Sequence, residues 1–267
     1  MGHRLTVTGL SDIGRVRNRN EDSLSLVPEL GIAVLADGMG GHPGGDVASR
    51  IAAETTVSSL RHLLPPDGFP DPESAAEQLG RAMAESVLWA HRAVRAEGAR
   101  EPALEGMGTT LTALVADAAT GAYAIGHVGD SRAYRLRGGE LVQLTRDDTW
   151  VQQRVEEARL TPEQARDHPF GHMLTQCVGL PEQPDPHLLT GGVEAGDVYL
   201  LCTDGLTGML QDYEVEACLS VSPGDEPGGR TWLRRLVDQA NSKGGHDNIT
   251  AALVLVDEAS VPGSRAQ

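Results

Sequence analysis

Residues Ile32 to Asp46 read IAVLADGMGGHPGGD. The apolar run Ile32-Ala33-Val34-Leu35-Ala36 has the length and composition of a buried strand, and it ends on a carboxylate, Asp37. Five glycines follow within eight residues: Gly38, Gly40, Gly41, Gly44 and Gly45. An acid at a strand end, followed by a turn almost without side chains, leaves backbone carbonyls free to approach a ligand closely. Hard cations such as Mg2+ and Mn2+ take oxygen donors of this kind. Taken alone, the stretch also fits a tight turn with one solvated acid. It is not a phosphate loop, because it lacks both the GxxxxGK[ST] and the GxGxxG spacing.

The pattern recurs. Val198-Tyr199-Leu200-Leu201-Cys202-Thr203 runs into Asp204-Gly205, and Tyr123-Ala124-Ile125-Gly126-His127-Val128-Gly129 runs into Asp130. A fourth acid, Asp247, directly precedes Asn248 and the apolar run from Ile249 to Val256. Four aspartates at strand ends imply a shared acidic centre, and crowding carboxylates together is costly unless cations neutralise them. A site for two oxygen-ligated metal ions follows as the expectation.

With 267 residues the chain has ample material for one large domain. Aromatics supply only 3% of it, so the core must be aliphatic. A net charge of −16 argues against nucleic acid and anionic membrane surfaces as partners. No run of 18 or more apolar residues and no signal-peptide core are present, so no membrane insertion and a cytoplasmic location are expected. Cys177, Cys202 and Cys218 are odd in number, sit in apolar surroundings and read as buried reduced thiols.

Arg4 to Leu10 alternates like an edge strand. Ser11 to Ser23 then places arginines at 15, 17 and 19 before Glu21 and Asp22. That run reads either as a solvated charged loop or as a phosphate clamp through Arg17, with Glu21 and Asp22 holding metal-bound water. Strands are expected either side of Pro28, and then a helix capped by Asp46 and ending near Leu64. A second helix should run from about Glu73 to Glu97, so that two helices cover one side of a sheet.

Four closely spaced strands follow, from Thr109 to Leu144, with hairpin-length connections that imply one antiparallel meander. Thr109 and Thr110 read as strand starters. Residues 146 to 172 are polar and weakly periodic, as in a mobile flap. Strands near His172–Cys177, Pro186–Thr190 and Val198–Thr203 come next, then helices near Asp212–Leu219 and Gly229–Asn241 and a last strand. The expected organisation is one domain over residues 1–257 and a disordered tail over 258–267.

In this order the motifs resemble the PPM (PP2C-type) metal-dependent Ser/Thr protein phosphatases in their compact bacterial form. They are Gly14-Arg15-Val16-Arg17 with Asn20-Glu21-Asp22, Asp37-Gly38-Met39-Gly40-Gly41-His42, and Gly108-Thr109-Thr110. His127-Val128-Gly129-Asp130-Ser131-Arg132, Thr203-Asp204-Gly205-Leu206 and Asp247-Asn248 complete the set. The resemblance implies an α+β fold, a four-layer α-β-β-α sandwich of two antiparallel sheets flanked by helix pairs, with the metals in a cleft at one end.

It further implies that Asp37 bridges two Mn2+ or Mg2+ ions, with the Gly38 carbonyl, Asp204 and Asp247 as further ligands. Asp130 would hold a third, weaker ion. Glu21, Asp22 and Asn248 would act through bound water, and Arg17 would clamp phosphate. In some relatives a histidine follows the Asp-Gly pair as general acid; here Met39 stands there, and His42 comes three residues later. The implied activity is hydrolysis of phosphoserine and phosphothreonine by in-line attack of a water or hydroxide shared by two ions. The implied partners are phosphoproteins and a Ser/Thr kinase, met by a monomer.

None of the cysteines has an arginine six residues on, and neither GxSxG nor HExxH occurs. Cysteine-phosphatase, serine-hydrolase and zinc-protease chemistry are therefore not expected. The rival readings are a catalytically silent phosphoprotein binder, a phosphatase of small metabolites, and a Ca2+-binding structural domain. The last lacks any DxDxDG spacing.

Overall fold

The computed structural model describes residues 2–39, 44–166, 168–221 and 229–259. Strands β1 (His3–Asp12), β2 (Asp22–Val27) and β3 (Ile32–Asp37) are followed by helices α1 (Gly45–Leu63) and α2 (Pro72–Arg100). Then come β4 (Leu111–Ala116), β5 (Ala122–Val128), β6 (Arg132–Arg137) and β7 (Glu140–Gln143). Short helices α3 (Trp150–Glu156) and α4 (Pro162–Arg166) lead to β8 (His187–Gly192) and β9 (Val198–Cys202). Helices α5 (Asp204–Thr207), α6 (Asp212–Ser220) and α7 (Arg230–Ser242) precede β10 (Ile249–Glu258).

The strands form two five-stranded antiparallel sheets, ordered β1-β10-β9-β6-β7 and β2-β3-β4-β5-β8. Their side chains sort into three apolar layers by simple alternation. From β3, Ile32, Val34 and Ala36 face α1 and α2, whereas Ala33 and Leu35 face the opposite sheet. From β9, Leu200 and Cys202 pack with α6 and α7, whereas Tyr199 and Leu201 point between the sheets. A strand covered on both faces has no polar side to show, which is why these strands appear in the sequence as unbroken apolar runs. The four layers are thus helix pair, sheet, sheet and helices, the α+β sandwich expected.

Several local expectations are corrected. The stretch from Thr109 to Leu144 is not one meander: β4–β5 pair in one sheet and β6–β7 in the other. The chain crosses between sheets at Gly129-Asp130-Ser131, where Gly129 takes φ +110, a backbone that favours glycine. Hairpin-length spacing is equally compatible with a crossing between stacked sheets. Helix α1 is capped by Gly44 in the left-handed region rather than by Asp46, whose carboxylate pairs with Arg19 at 2.6 Å. Residues 172–177 form no strand; isolated bridges link Leu174 to Thr149 and Val178 to Thr109. Within the polar 146–172 segment lie α3 and α4, and β10 continues to Glu258, the first residue expected in the tail.

All three cysteines are buried and free. Among the described residues no helix is long and apolar enough to cross a membrane.

At the end of β9 remote from Asp204, the fully buried Asp197 carboxylate accepts from Arg137 Nε at 2.7 Å and Nη2 at 2.6 Å. It also accepts from the Glu194 amide at 2.8 Å and the Tyr199 hydroxyl at 3.2 Å. Burial pushes its pKa up, but Arg137 and these donors outweigh burial and hold it below the usual range. A depressed folded pKa contributes stability above the unfolded value, roughly 3.9, that is lost as pH falls through the folded one. Arg137→Met should therefore destabilise by about 2–4 kcal/mol at pH 7, leaving a buried charge without its partner. Urea unfolding should show the gap closing below pH 3; a gap constant from pH 7 to pH 2.5 would contradict this account.

Candidate metal centre

The acids meet at one end of the sandwich because four strand ends converge there. Asp37 closes β3, Asp204 follows β9, Asp130 lies in the β5–β6 crossing and Asp247 precedes β10. They line a single cleft of about 720 Å3 together with Glu21, Gly38 and the partly exposed Arg17. Asp22, at the start of β2, pairs directly across from Asp37 in the sheet register.

Backbone hydrogen bonds set these side chains in place. The Asp37 amide donates to Thr110 Oγ1 at 3.0 Å, and its carbonyl accepts from Thr109 Oγ1 at 2.7 Å and from the Thr110 amide at 2.9 Å. Thr110 Oγ1 is also 2.9 Å from Ser131 Oγ, so one hydroxyl links the Asp37 strand to the Asp130 turn. Thr109 and Thr110 are thus supports for Asp37, a role their strand-starting position did not reveal. The Gly38 amide donates to the Glu21 carbonyl at 3.1 Å. A Cβ on Gly38 would meet the Gly45 carbonyl oxygen at 2.2 Å, so only glycine permits the close approach of Gly38 to the first residue of α1.

Asn248 holds the arginine-bearing loop. Its Nδ2 donates to the Ile13 and Arg19 carbonyls at 3.0 Å each, and its Oδ1 accepts from the Glu21 amide at 2.8 Å. Glycines flank this turn on both sides: a Cβ on Gly14 would lie 2.1 Å from the Asp247 carbonyl oxygen, and one on Gly205 would lie 2.0 Å from that of Asn248. Arg17 Nη2 contacts Asp247 Oδ2 at 2.6 Å, so the loop's guanidinium pairs with a cleft carboxylate.

The electrostatics of the cleft are those of a site short of positive charge. Burial, and then the charges of Asp22, Asp204, Asp130 and Asp247, hold the Asp37 pKa well above the carboxylate range. Burial and Asp204 do the same to Asp130. Asp22 is pushed up to about 7, chiefly by burial and against the hydrogen bond it accepts from Thr203 at 3.0 Å. Burial raises Glu21 as well. The other carboxylate oxygen of Asp22 is buried with no hydrogen-bond partner. Hard divalent cations answer both needs, since they neutralise clustered carboxylates and take oxygen donors. The residues therefore fit Mn2+ or Mg2+.

His172 was not singled out by the sequence as a site residue, because a lone histidine at the end of a polar segment carries no spacing signal. Its Nδ1 lies 3.4 Å from Asp204 Oδ2, and donor atoms of Asp130, His172 and Asp204 all fall within 4.8 Å of one another. The Asp204 contact raises its pKa. Cys177 lines the cleft too, but burial pushes its thiol up to about 11, which keeps it protonated at neutral pH and unsuited as a nucleophile. His42 lies outside the described residues.

Known proteins resemble the chain in both sequence and structure. The serine/threonine protein phosphatase PstP of Mycobacterium tuberculosis is 39% identical over 246 residues, covering 92% of this chain and 44% of PstP. The chain thus spans less than half the length of that relative. Protein phosphatase PhpP of Streptococcus pneumoniae is 34% identical over 273 residues, covering 95% of this chain and 98% of PhpP. The crystal structure of M. tuberculosis PstP superposes with a TM-score of 0.80 at 37% identity, covering 95% of this chain and 99% of that one. A second structure, the PstP catalytic domain in complex with 2 manganese ions, has a TM-score of 0.77 at 36% identity, with the same coverage. The protein phosphatase 2C sequence profile matches residues 15–253, and the chain belongs to that family.

Proposed function

We propose that the chain is a metal-dependent phosphoprotein phosphatase that hydrolyses phosphoserine and phosphothreonine in bacterial kinase-linked signalling. The observation that carries this reading is the convergence of Asp37, Asp130, Asp204 and Asp247 on one cleft that Arg17 also lines. Residues 1–257 act as one phosphatase domain, with 146–172 as a flap beside the cleft. Its partners are phosphoproteins and the kinase that modifies them, met by a cytoplasmic monomer. The manganese-bound PstP domain supports the choice of ion.

In this reading Asp37, the Gly38 carbonyl, Asp204 and Asp247 would hold two ions, and Asp130 would hold a third with Asp204. Bound there, such ions would supply Lewis acidity, lowering the pKa of water toward neutrality and offsetting phosphoryl charge. The protein's own residues do the rest. Glu21 and Asp22 accept hydrogen bonds from water in the cleft and orient it toward phosphorus. Asn248 keeps the 13–21 loop, and with it Arg17, beside the acids. The Arg17 guanidinium exchanges its Asp247 contact for the phosphoryl oxygens, where its planar donors fit in pairs. That exchange is inexpensive, because the Arg17 and Asp247 side chains remain 40% and 33% exposed and solvent screens the pair.

The direct test is hydrolysis of p-nitrophenyl phosphate and of phosphopeptides with and without Mn2+. Turnover of neither, with Mn2+ present, would end the proposal; turnover of small phosphate esters alone would favour a metabolite substrate. Arg17→Ala should raise KM for phosphopeptides by about 10-fold or more, the loss of one charge-assisted clamp, with metal affinity little changed. Unchanged phosphopeptide kinetics would remove Arg17 from the site.

A further inference from the structure

Asp148 lies between β7 and α3, and its side chain is 1% exposed. A buried carboxylate needs charged or hydrogen-bonding partners to be tolerated. Asp148 finds them on three other parts of the chain. Its Oδ2 accepts from the Gly129 amide at 3.0 Å. Its Oδ1 accepts from His187 Nε2 on β8 at 2.8 Å and from Gln176 Nε2 at 3.2 Å. Its backbone repeats the connection: the Asp148 amide donates to the Gly129 carbonyl at 2.7 Å, and its carbonyl accepts from the Thr175 amide at 2.8 Å. Nearby, His127 Nε2 donates to the Arg146 carbonyl at 3.1 Å and its Nδ1 accepts from Thr112 at 2.9 Å, which braces the segment from below.

Gly129 is the residue whose left-handed backbone aims Asp130 into the cleft. Thr175 and Gln176 belong to the leg that returns from the flap and forms the bridge at Leu174. We propose that Asp148 is a positioning residue: its carboxylate, held in aim by His187, clasps the Asp130 turn and the base of the flap together, so that neither moves without the other. The inference rests on the reading of Asp130 as a ligand of the weakest ion.

Asn at position 148 keeps one acceptor but turns an NH2 group toward the donors of Gln176 and His187. In Asp148→Asn the weakest step of a Mn2+ binding isotherm should lose about 10-fold or more in affinity, as do ion sites whose supporting hydrogen bonds are removed. The tighter steps should hold, and kcat should fall while KM for p-nitrophenyl phosphate stays put. His187→Gln retains an amide donor toward Asp148 and should behave as wild type, whereas His187→Leu should reproduce part of the loss. A lower melting temperature with an unchanged isotherm and unchanged kcat would reduce Asp148 to a structural role and overturn the proposal, and so would equal behaviour of the two His187 variants. If the wild type shows no third step, the reading of Asp130 fails instead. Amide exchange in EDTA then decides the clasp alone: Gly129 and Thr175 should exchange faster in Asp148→Asn, and equal rates would refute it.

Discussion

Asp37→Asn is expected to abolish Mn2+-dependent hydrolysis while leaving the ion-free protein at least as stable as the wild type. The two effects have one cause. In the ion-free cleft Asp37 sits among Asp22, Asp130, Asp204 and Asp247, and burial together with their charges drives its pKa far above normal. A neutral amide of the same shape removes that repulsion and keeps the backbone bonds to Thr109 and Thr110. Yet it also removes the carboxylate placed centrally among the proposed ion ligands. Losing several kcal/mol of charge stabilisation in the transition state corresponds to about 10³-fold or more in rate. Thermal melts in EDTA and a Mn2+ titration of p-nitrophenyl phosphate hydrolysis measure both. A variant with wild-type turnover would remove Asp37 from the centre, and a marked loss of stability in EDTA would show that the acids are not in conflict.

Gly14→Ala should damage the site from outside it. Gly14 holds φ +79, and a Cβ there would stand 2.1 Å from the Asp247 carbonyl oxygen and 2.8 Å from that of Gly245. Both obstacles are backbone, so no rotamer change relieves them. The 13–19 loop would have to shift, loosening the Asn248 bonds to Ile13 and Arg19 that keep Arg17 in reach of the cleft. The expected cost is about 2–4 kcal/mol, combining left-handed strain with the clash. Gly68 provides the control: it has φ +76 but open space around its Cβ, so Gly68→Ala should cost only about 1 kcal/mol. Equal losses for the two variants in urea unfolding would show that the contact with the Asp247 turn is unimportant.

Much of this architecture is visible along the chain because burial on both faces writes itself into composition. The five core residues of β3, from Ile32 to Ala36, are fully buried, and an unbroken apolar run is the only pattern compatible with packing against helices on one side and a sheet on the other. The helices are equally legible, since α1 and α2 lie within a few residues of the spans implied by their apolar spacing. Sheet membership was not. Nothing local distinguishes the tight connection between β4 and β5 from the crossing between β5 and β6, because both are short and both contain glycine. Which partner a strand chooses depends on long-range packing that a hairpin-length spacing does not encode.

The site divides in the same way. That acids end the apolar runs at Asp37, Asp130 and Asp204 and precede the one after Asp247 is a property of the amino-acid order alone, whereas the demand for cations arises once the fold gathers the four carboxylates in one cleft. The pairing of Arg17 with Asp247, the approach of His172 to Asp204 and the grip of Asp148 on Gly129, Gln176 and His187 are decided only by the tertiary structure. Each joins residues from separate elements through one or two polar atoms, and single polar contacts carry no periodicity. Apolar burial repeats with the geometry of strand and helix and so leaves a trace in sequence, whereas an individual hydrogen bond exists only once the packed layers have brought its two ends together.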